Sequence, residues 1–231
     1  MGSEMCIRDS LFTKPYSNPV GGSSQANRDN FREALSLFRD AGYEIRNTKL
    51  VDAKTGEPFS VEILADDPAT ERYVLFYKPS LERIGIVVKT RLVDAAQYEN
   101  RLRQWDYDII ASSWGESLSP GNEQRDFWSS AAADQPGSRN LIGIKNPAID
   151  TLIDRVIFTK DRADLVAATK ALDRVLLWNF YVVPQWTYGK VRSARWDRFG
   201  RPDNMPKYGN AAFPTIWWWD AEKAAKVPRR S

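Results

Sequence analysis

Residues 86–114 read I-V-V-K-T-R-L-V-D-A-A-Q-Y-E-N-R-L-R-Q-W-D-Y-D-I-I-A-S-S-W. The first eight are rich in β-branched side chains, which suit a pleated, half-buried strand. Asp94 followed three residues later by Gln97 is a helix-start signature, in which side chains satisfy the free amides of a first turn. The helix it opens carries Tyr98 and Leu102. Residues 108–114 then read as a second strand. Strand, helix and strand at this spacing predict a right-handed crossover between parallel strands. The fold class expected from this stretch is therefore α/β, with a mixed, largely parallel sheet flanked by helices.

Working upstream, Asp66-Asp67-Pro68 opens a helix predicted to run to about Arg83, with Tyr73, Phe76 or Tyr77, Leu81 and Ile84 as its apolar stripe and Gly85 as its stop. Residues 50–52 and 59–64 are expected to form a strand pair. Phe59, Val61 and Ile63 alternate with polar residues, and Lys54-Thr55-Gly56-Glu57 supplies the turn. An earlier helix is predicted from the spacing of Phe31, Leu35 and Phe38, with Ala34 and Leu37. Asn27 or Asp29 caps it and Gly42 follows it. Residues 11–28 read as a loop or linker, with two prolines and a Gly-Gly-Ser-Ser run.

Working downstream, residues 115–137 read as loop with one short helix near 124–130. Asn146-Pro147 combines a cap with a first-turn proline. The helix it opens has Ile149, Leu152, Ile153, Val156 and Ile157 on its buried face. A longer helix is predicted over 162–179, with Leu165, Ala168, Leu172, Val175 and Leu176 inward, followed by a strand over 181–187. The last forty residues are aromatic and proline-rich and carry no clear period. No internal repeat is visible.

Composition narrows the chemistry. The 231 residues include 42% apolar and 27% charged side chains, enough for a sizeable core. No run approaches the roughly 20 apolar residues of a spanning helix. The net charge is +3, from 33 basic and 30 acidic groups. The signs are interspersed, so no basic face for nucleic acid is expected. With no histidine, Ser-His-Asp and Cys-His catalysis and most zinc sites are excluded within the chain. No Gly-rich phosphate loop follows a strand, and no metal-ligand cluster is present. No cofactor and no metal are expected. The single cysteine, Cys6, allows no internal disulfide. Residues 1–10 lack the basic start, apolar stretch and cleavage site of a signal peptide. They are expected to be a non-native segment, with the true protein beginning further upstream.

The order of these segments resembles the carboxy-terminal portion of family 5 extracellular solute-binding proteins, the oligopeptide and dipeptide type. The resemblance runs through F-R-E-A-L-S-L-F-R-D-A-G-Y (31–43), L-E-R-I-G-I-V-V-K-T (81–90), V-D-A-A-Q-Y (93–98), W-D-Y-D-I-I-A-S-S-W (105–114), N-P-A-I-D-T-L-I (146–153) and V-V-P-Q-W (182–186). S-L-S-P-G-N-E-Q-R-D-F-W (117–128) and P-G-S-R-N-L-I-G-I (136–144) are similar to the subgroup tied to microcin C and oligopeptide uptake. The resemblance implies a truncated two-lobe receptor of the type II periplasmic-binding-protein kind. Residues 29–190 would form most of its second lobe. Residues 191–231 would return toward a missing first lobe, leaving apolar surface around Trp217, Trp218 and Trp219. It also implies a periplasmic, non-enzymatic protein that captures peptides or peptide-like compounds for ABC-transporter permease subunits and meets the membrane only through them. The signal peptide would lie upstream.

Candidate ligand contacts follow. Trp114 ends a predicted strand, where open α/β sheets bind ligands; the resemblance places a cavity-lining tryptophan there, and the other reading is core packing. In peptide-binding relatives an aspartate shortly after this tryptophan pairs with the ligand's amino terminus. Here Glu116, one residue closer, either substitutes for it or is a solvated loop residue beside Ser117. If the anchor is absent, a blocked amino terminus such as a formylated peptide fits. Asn122, Arg125 and Arg139 lie in the surrounding loops, and arginine grips carboxylates bidentately; the alternative is an exposed salt bridge. Trp186 and Tyr188 could stack on ligand or pack in the core. Asp94 reads as a cap, and Ala95 replaces an aromatic that many relatives carry. Two other functions stay in view. An oligosaccharide receptor of the same fold would use aromatic platforms. A hydrolase would need a carboxylate pair such as Asp106 and Asp108.

Overall fold

A computed structural model describes residues 13–117, 119–185, 194–206 and 215–227. The chain divides into two compact units, Met1–Val183 and Pro184–Ser231.

The larger unit is built on three parallel strands: β3 (Ser60–Ala65) lies between β4 (Val87–Leu92) and β5 (Ile109–Ile110). Ser60 pairs with Val87 and Ala65 with Leu92, while Ile63 and Leu64 pair with Ile109 and Ile110. Two helices make the crossovers. α2 (Pro68–Arg83) joins β3 to β4 and α3 (Ala95–Arg103) joins β4 to β5. Asp67 caps α2, accepting from the amides of Ala69 and Thr70 at 2.7 and 3.0 Å. Asp94 caps α3 by accepting from the Gln97 amide at 2.9 Å. The helix caps therefore lie at the carboxyl edge of the sheet, as the crossover rule requires.

Two expectations about strands are corrected. Residues 50–52 do not take 59–64 as their main partner. β2 (Lys49–Asp52) pairs antiparallel with β1 (Tyr43–Arg46), and only a single bridge, Val51 to Pro58, reaches toward β3. The connecting turn is Asn47-Thr48, both with positive φ, 49° and 66°. Such a turn matches the twist of a hairpin, and asparagine tolerates it better than a β-branched residue. β1 is short and half-exposed, so no apolar run announced it. The second correction concerns 108–114, where the ladder stops after Ile110. Ala65 is the last residue of β3, and the chain then turns into α2. Beyond Ile110, residues 111–117 therefore have no strand to pair with and run irregularly. Trp114 consequently sits past the end of a strand, in irregular chain.

The helices bury less than their patterns suggested. α1 (Ser24–Asp40) starts inside the predicted linker, because Ser23 Oγ accepts from the Ala26 amide at 3.0 Å. Phe31, Ala34, Leu35 and Phe38 face the sheet core, whereas Leu37 is exposed. On α2 the inward residues are Val74 and Leu81, with Ile84 just past its end. Tyr73 is half-exposed, against expectation, and of the two alternatives Phe76 and Tyr77 it is Tyr77 that is half-buried, Phe76 being 88% exposed. These residues close a core made of Leu50, Ile63, Val74, Ile84, Ile86 and Val88.

A second core lies among the helices that follow. α4 (Glu123–Trp128), α5 (Pro147–Phe158) and α6 (Arg162–Trp178) bury Phe127, Trp128, Ile144, Ile149, Ile153, Val156 and Leu172 together. The predicted inward faces of α5 and α6 line this core. Asn146 caps α5, its Oδ1 accepting from the Ala148 amide at 3.0 Å. Residues 181–185, expected to begin a strand, are irregular, and residues 186–187 of that stretch lie outside the described residues.

In the smaller unit, β6 (Phe199–Gly200) pairs antiparallel with β7 (Trp218–Trp219), and α7 (Ala221–Lys226) follows. Trp218 and Trp219 are more than half exposed, whereas Trp217 is half-buried beneath the guanidinium groups of Arg195 and Arg201. Among the described residues no helix is long and apolar enough to cross a membrane.

Candidate ligand-binding site

Five of the eight expected contacts gather around α4. This helix is short, and each of its side chains does something different. Trp128, at its end, is buried, and the Trp114 ring lies 4.8 Å from it at 43°. Trp114 is half-buried, and its Nε1–H donates to the Arg139 carbonyl at 3.0 Å. Trp114 packs against the second core and is half-buried, as the core-packing reading expects.

Glu116 is exposed but not solitary. Its Oε2 accepts from Gln124 Nε2 at 2.8 Å. The protein wall behind it removes enough water to raise its carboxyl above the ordinary glutamate value. Glu123 pushes in the same direction, while the Gln124 bond and Arg139 oppose the shift. Arg139 reaches over the Phe127 ring at 4.6 Å, and its Nη2 donates weakly to the Ser113 carbonyl at 3.4 Å. Trp114 is thus tied to the Arg139 backbone, while the Arg139 guanidinium, lying over Phe127, is near enough to act on the Glu116 carboxylate. Ser117 serves a local turn, its Oγ accepting from the Ser119 amide at 3.1 Å.

Asn122 and Arg125 lie on the other side of α4. They line an open cleft of 670 Å³ with Asp126, Ser129, Ser130, Gln135, Asp150 and Asp154, among others. Arg125 Nη2 donates to Asp154 Oδ1 at 2.7 Å, the exposed ion pair foreseen as its alternative. Asn122 precedes α4 without a side-chain cap bond. Trp186 and Tyr188 lie outside the described residues.

The sequence reading missed the polar residues that hold this region together. Gln124 is 4% exposed and joins Glu116 to Trp128, whose Nε1–H donates to Gln124 Oε1 at 3.1 Å. Asn140 is fully buried. Its Nδ2 donates to the carbonyls of Ser129 and Ile144 at 2.9 and 3.0 Å, and its Oδ1 accepts from the Ile144 amide at 2.9 Å. Asp150 accepts from the Ser130 amide and hydroxyl at 2.8 and 2.6 Å. The one available signal was the i,i+4 spacing of Gln124 and Trp128, which shares a helix face.

The carboxylates considered for catalysis are engaged structurally. Asp106 accepts from Arg101 Nε at 2.8 Å, and Asp108 accepts from the Glu62 amide at 2.7 Å. Among the described residues no group of three or more histidine, cysteine, aspartate or glutamate side chains is placed to hold a metal ion.

Comparison with known proteins gives a consistent result. Residues 8–136 match the family described as bacterial extracellular solute-binding proteins, family 5 Middle. A probable peptide-binding protein YejA of Agrobacterium fabrum is 50% identical over 208 residues, covering 90% of this chain and 34% of its own. The chain spans about a third of the length of the curated relatives it matches. Among solved structures, the oligopeptide-binding protein AppA of Bacillus subtilis, in complex with a nonapeptide, superposes with a TM-score of 0.57 at 23% identity, over 65% of this chain and 30% of that one. A periplasmic oligopeptide-binding protein of Thermotoga maritima with mannohexaose bound gives 0.57 at 20% identity, over 72% and 34%. At these identities the structures show the fold, that of type II periplasmic binding proteins.

Proposed function

The chain belongs to the bacterial extracellular solute-binding proteins of family 5, and from that membership we propose that it forms part of a periplasmic receptor capturing peptides or peptide-like compounds for an ABC importer. The observation that carries the peptide reading is the grouping of an acidic side chain, Glu116, and a basic one, Arg139, in the region where Trp114 is held. A zwitterionic chain offers an ammonium and a carboxylate, and an aromatic wall adds contact area without selecting one side chain. Glu116 is the candidate ammonium anchor and Arg139 the candidate carboxylate anchor. The name of the YejA relative supports a peptide, as does the resemblance of 117–128 to receptors of microcin C and oligopeptide uptake. Delivery to permease subunits follows from the family.

An oligosaccharide is the second reading, favoured by the Trp114 ring, an incompletely buried aromatic of the kind that stacks against a sugar ring. Native mass spectrometry separates the two. The purified chain is offered pools of free peptides, formylated peptides and oligosaccharides. Adducts with free peptides, lost in Glu116→Ala and Trp114→Ala, are expected. Formylated adducts alone would remove the ammonium anchor. Sugar adducts alone, or none from any pool, would overturn the peptide reading.

A further inference from the structure

Gln124 is the one polar side chain on α4 that is almost wholly buried. Its amide is also unambiguous in orientation. An indole N–H can only donate, so the Gln124 oxygen must face Trp128, which leaves its nitrogen facing the acceptor Glu116. We propose that Gln124 is the positioning residue of this site: one buried amide sets the direction of the Glu116 carboxylate and the seat of the Trp128 ring against which Trp114 lies. The proposal rests on the reading that Glu116 and Trp114 touch the ligand.

The chemistry requires a side chain of this length and polarity. A leucine would fill the same space but would leave the Trp128 N–H buried without an acceptor. It would also release Glu116 from its only hydrogen-bond partner among the described residues, turning a directed carboxylate into a mobile one. Linked hydrogen bonds polarise one another, so a change of charge at Glu116 is passed through the amide to Trp128. The charged groups facing Glu116 are Glu123 from α4 and Arg139 from the loop after the 3₁₀ turn Ala132–Asp134. Neither bonds to the Trp128 indole, so the hydrogen-bonded path from Glu116 to that ring runs through Gln124.

The test uses the full chain labelled with ¹⁵N at its indoles, with Trp114 and Trp128 assigned from single Trp→Phe variants. The Trp128 Nε1–H resonance is followed between pH 3 and 8. It is expected to shift with the protonation of Glu116, and the step is expected to vanish in Glu116→Gln and in Gln124→Leu. Millimolar tetra-alanine and its N-acetylated form are then compared. Gln124→Leu is expected to lose at least threefold of any preference for the free amine, approaching Glu116→Gln. If Gln124→Leu does not fold, Gln124→Asn, too short to span both partners, carries the same comparison. A Trp128 resonance flat across the Glu116 titration overturns the proposal. So does a Gln124 variant that keeps the wild-type step and preference while Glu116→Gln loses them, and the ligand reading then survives. If Glu116→Gln changes no preference, the ligand reading fails, and the Trp128 titration alone still decides the role of Gln124.

Discussion

The Trp114 indole nitrogen donates to the backbone carbonyl of Arg139 at 3.0 Å, tying an irregular segment after the sheet to a loop 25 residues further along. This bond, with the ring contact to Trp128, holds Trp114 in place without a strand. Trp114→Phe should keep the ring contact and lose the hydrogen bond, for about 1 kcal/mol of stability. Trp114→Ala should cost more, since the aromatic pair alone adds about 1 kcal/mol beyond its buried area. Urea unfolding of both variants measures the difference; equal midpoints would mean that the packing of Trp114 contributes nothing.

Asn140 replaces a turn of backbone hydrogen bonds by side-chain ones, and it is completely enclosed. Asn140→Leu leaves the amide and the carbonyl of Ile144 without these partners, while the Ser129 carbonyl keeps the Ala132 amide at 3.1 Å. Each buried unmet group costs about 1–3 kcal/mol. A loss of about 3 kcal/mol is expected in chemical denaturation, and a loss below 1 would contradict the hydrogen-bond assignment.

Gly85 has φ of +89°, and a methyl group there would lie 2.6 Å from the backbone nitrogen of Leu50. The Leu50 amide donates to the Gly85 carbonyl at 2.8 Å, joining the hairpin to the main sheet. Gly85→Ala therefore combines left-handed strain with a clash against backbone. A loss above about 2 kcal/mol is expected, beyond the usual gain of a glycine replacement, which is under 1 kcal/mol. Hydrogen exchange at Leu50 reports it locally, since that amide should lose protection first.

Tyr107 donates its hydroxyl to the Leu141 carbonyl at 2.7 Å. Burial, with a smaller contribution from Tyr98, pushes its pKa up to about 12. The folded value lies above the unfolded value near 10, so the stabilisation is fully present below pH 10. It is lost as pH rises through 12. Ultraviolet titration should find one late-ionising tyrosine that disappears in Tyr107→Phe. The same variant should flatten the alkaline fall in stability.

Glu116 follows the same sign. Its raised value makes the charged form unfavourable in the folded chain, so Glu116 costs stability at neutral pH and costs none below the ordinary glutamate value of 4.5. Glu116→Gln should therefore be more stable than the parent at pH 7 and equal to it near pH 4. Thermal unfolding across that range measures the gap, and a gap that widens on acidification would contradict the desolvated setting of Glu116.

Local signals were legible where they were made by neighbouring residues. Asp67, Asp94 and Asn146 cap their helices through amides two or three positions ahead, which the sequence displays directly. The buried faces of α5 and α6 repeat at helical spacing. Spacing left Phe76 and Tyr77 as alternatives, and only the fold chose Tyr77; which side of α2 meets the sheet depends on Leu50, Ile63 and Val88, from other strands. β1 was invisible because its partner register with β2 depends on the Asn47-Thr48 turn, and its four residues expose two.

The chain's order of caps, apolar periods and family-like segments was enough to specify an α/β protein and its kinship, because those features depend on contacts within a turn or two. The assembly around α4 was a different matter. Glu116, Gln124, Trp128, Trp114 and Arg139 converge through hydrogen bonds and ring contacts, some of them spanning up to 25 residues. Pairings of that length are selected by how two cores close on each other. A glutamine therefore reads as an ordinary surface residue until folding buries it between a carboxylate and an indole.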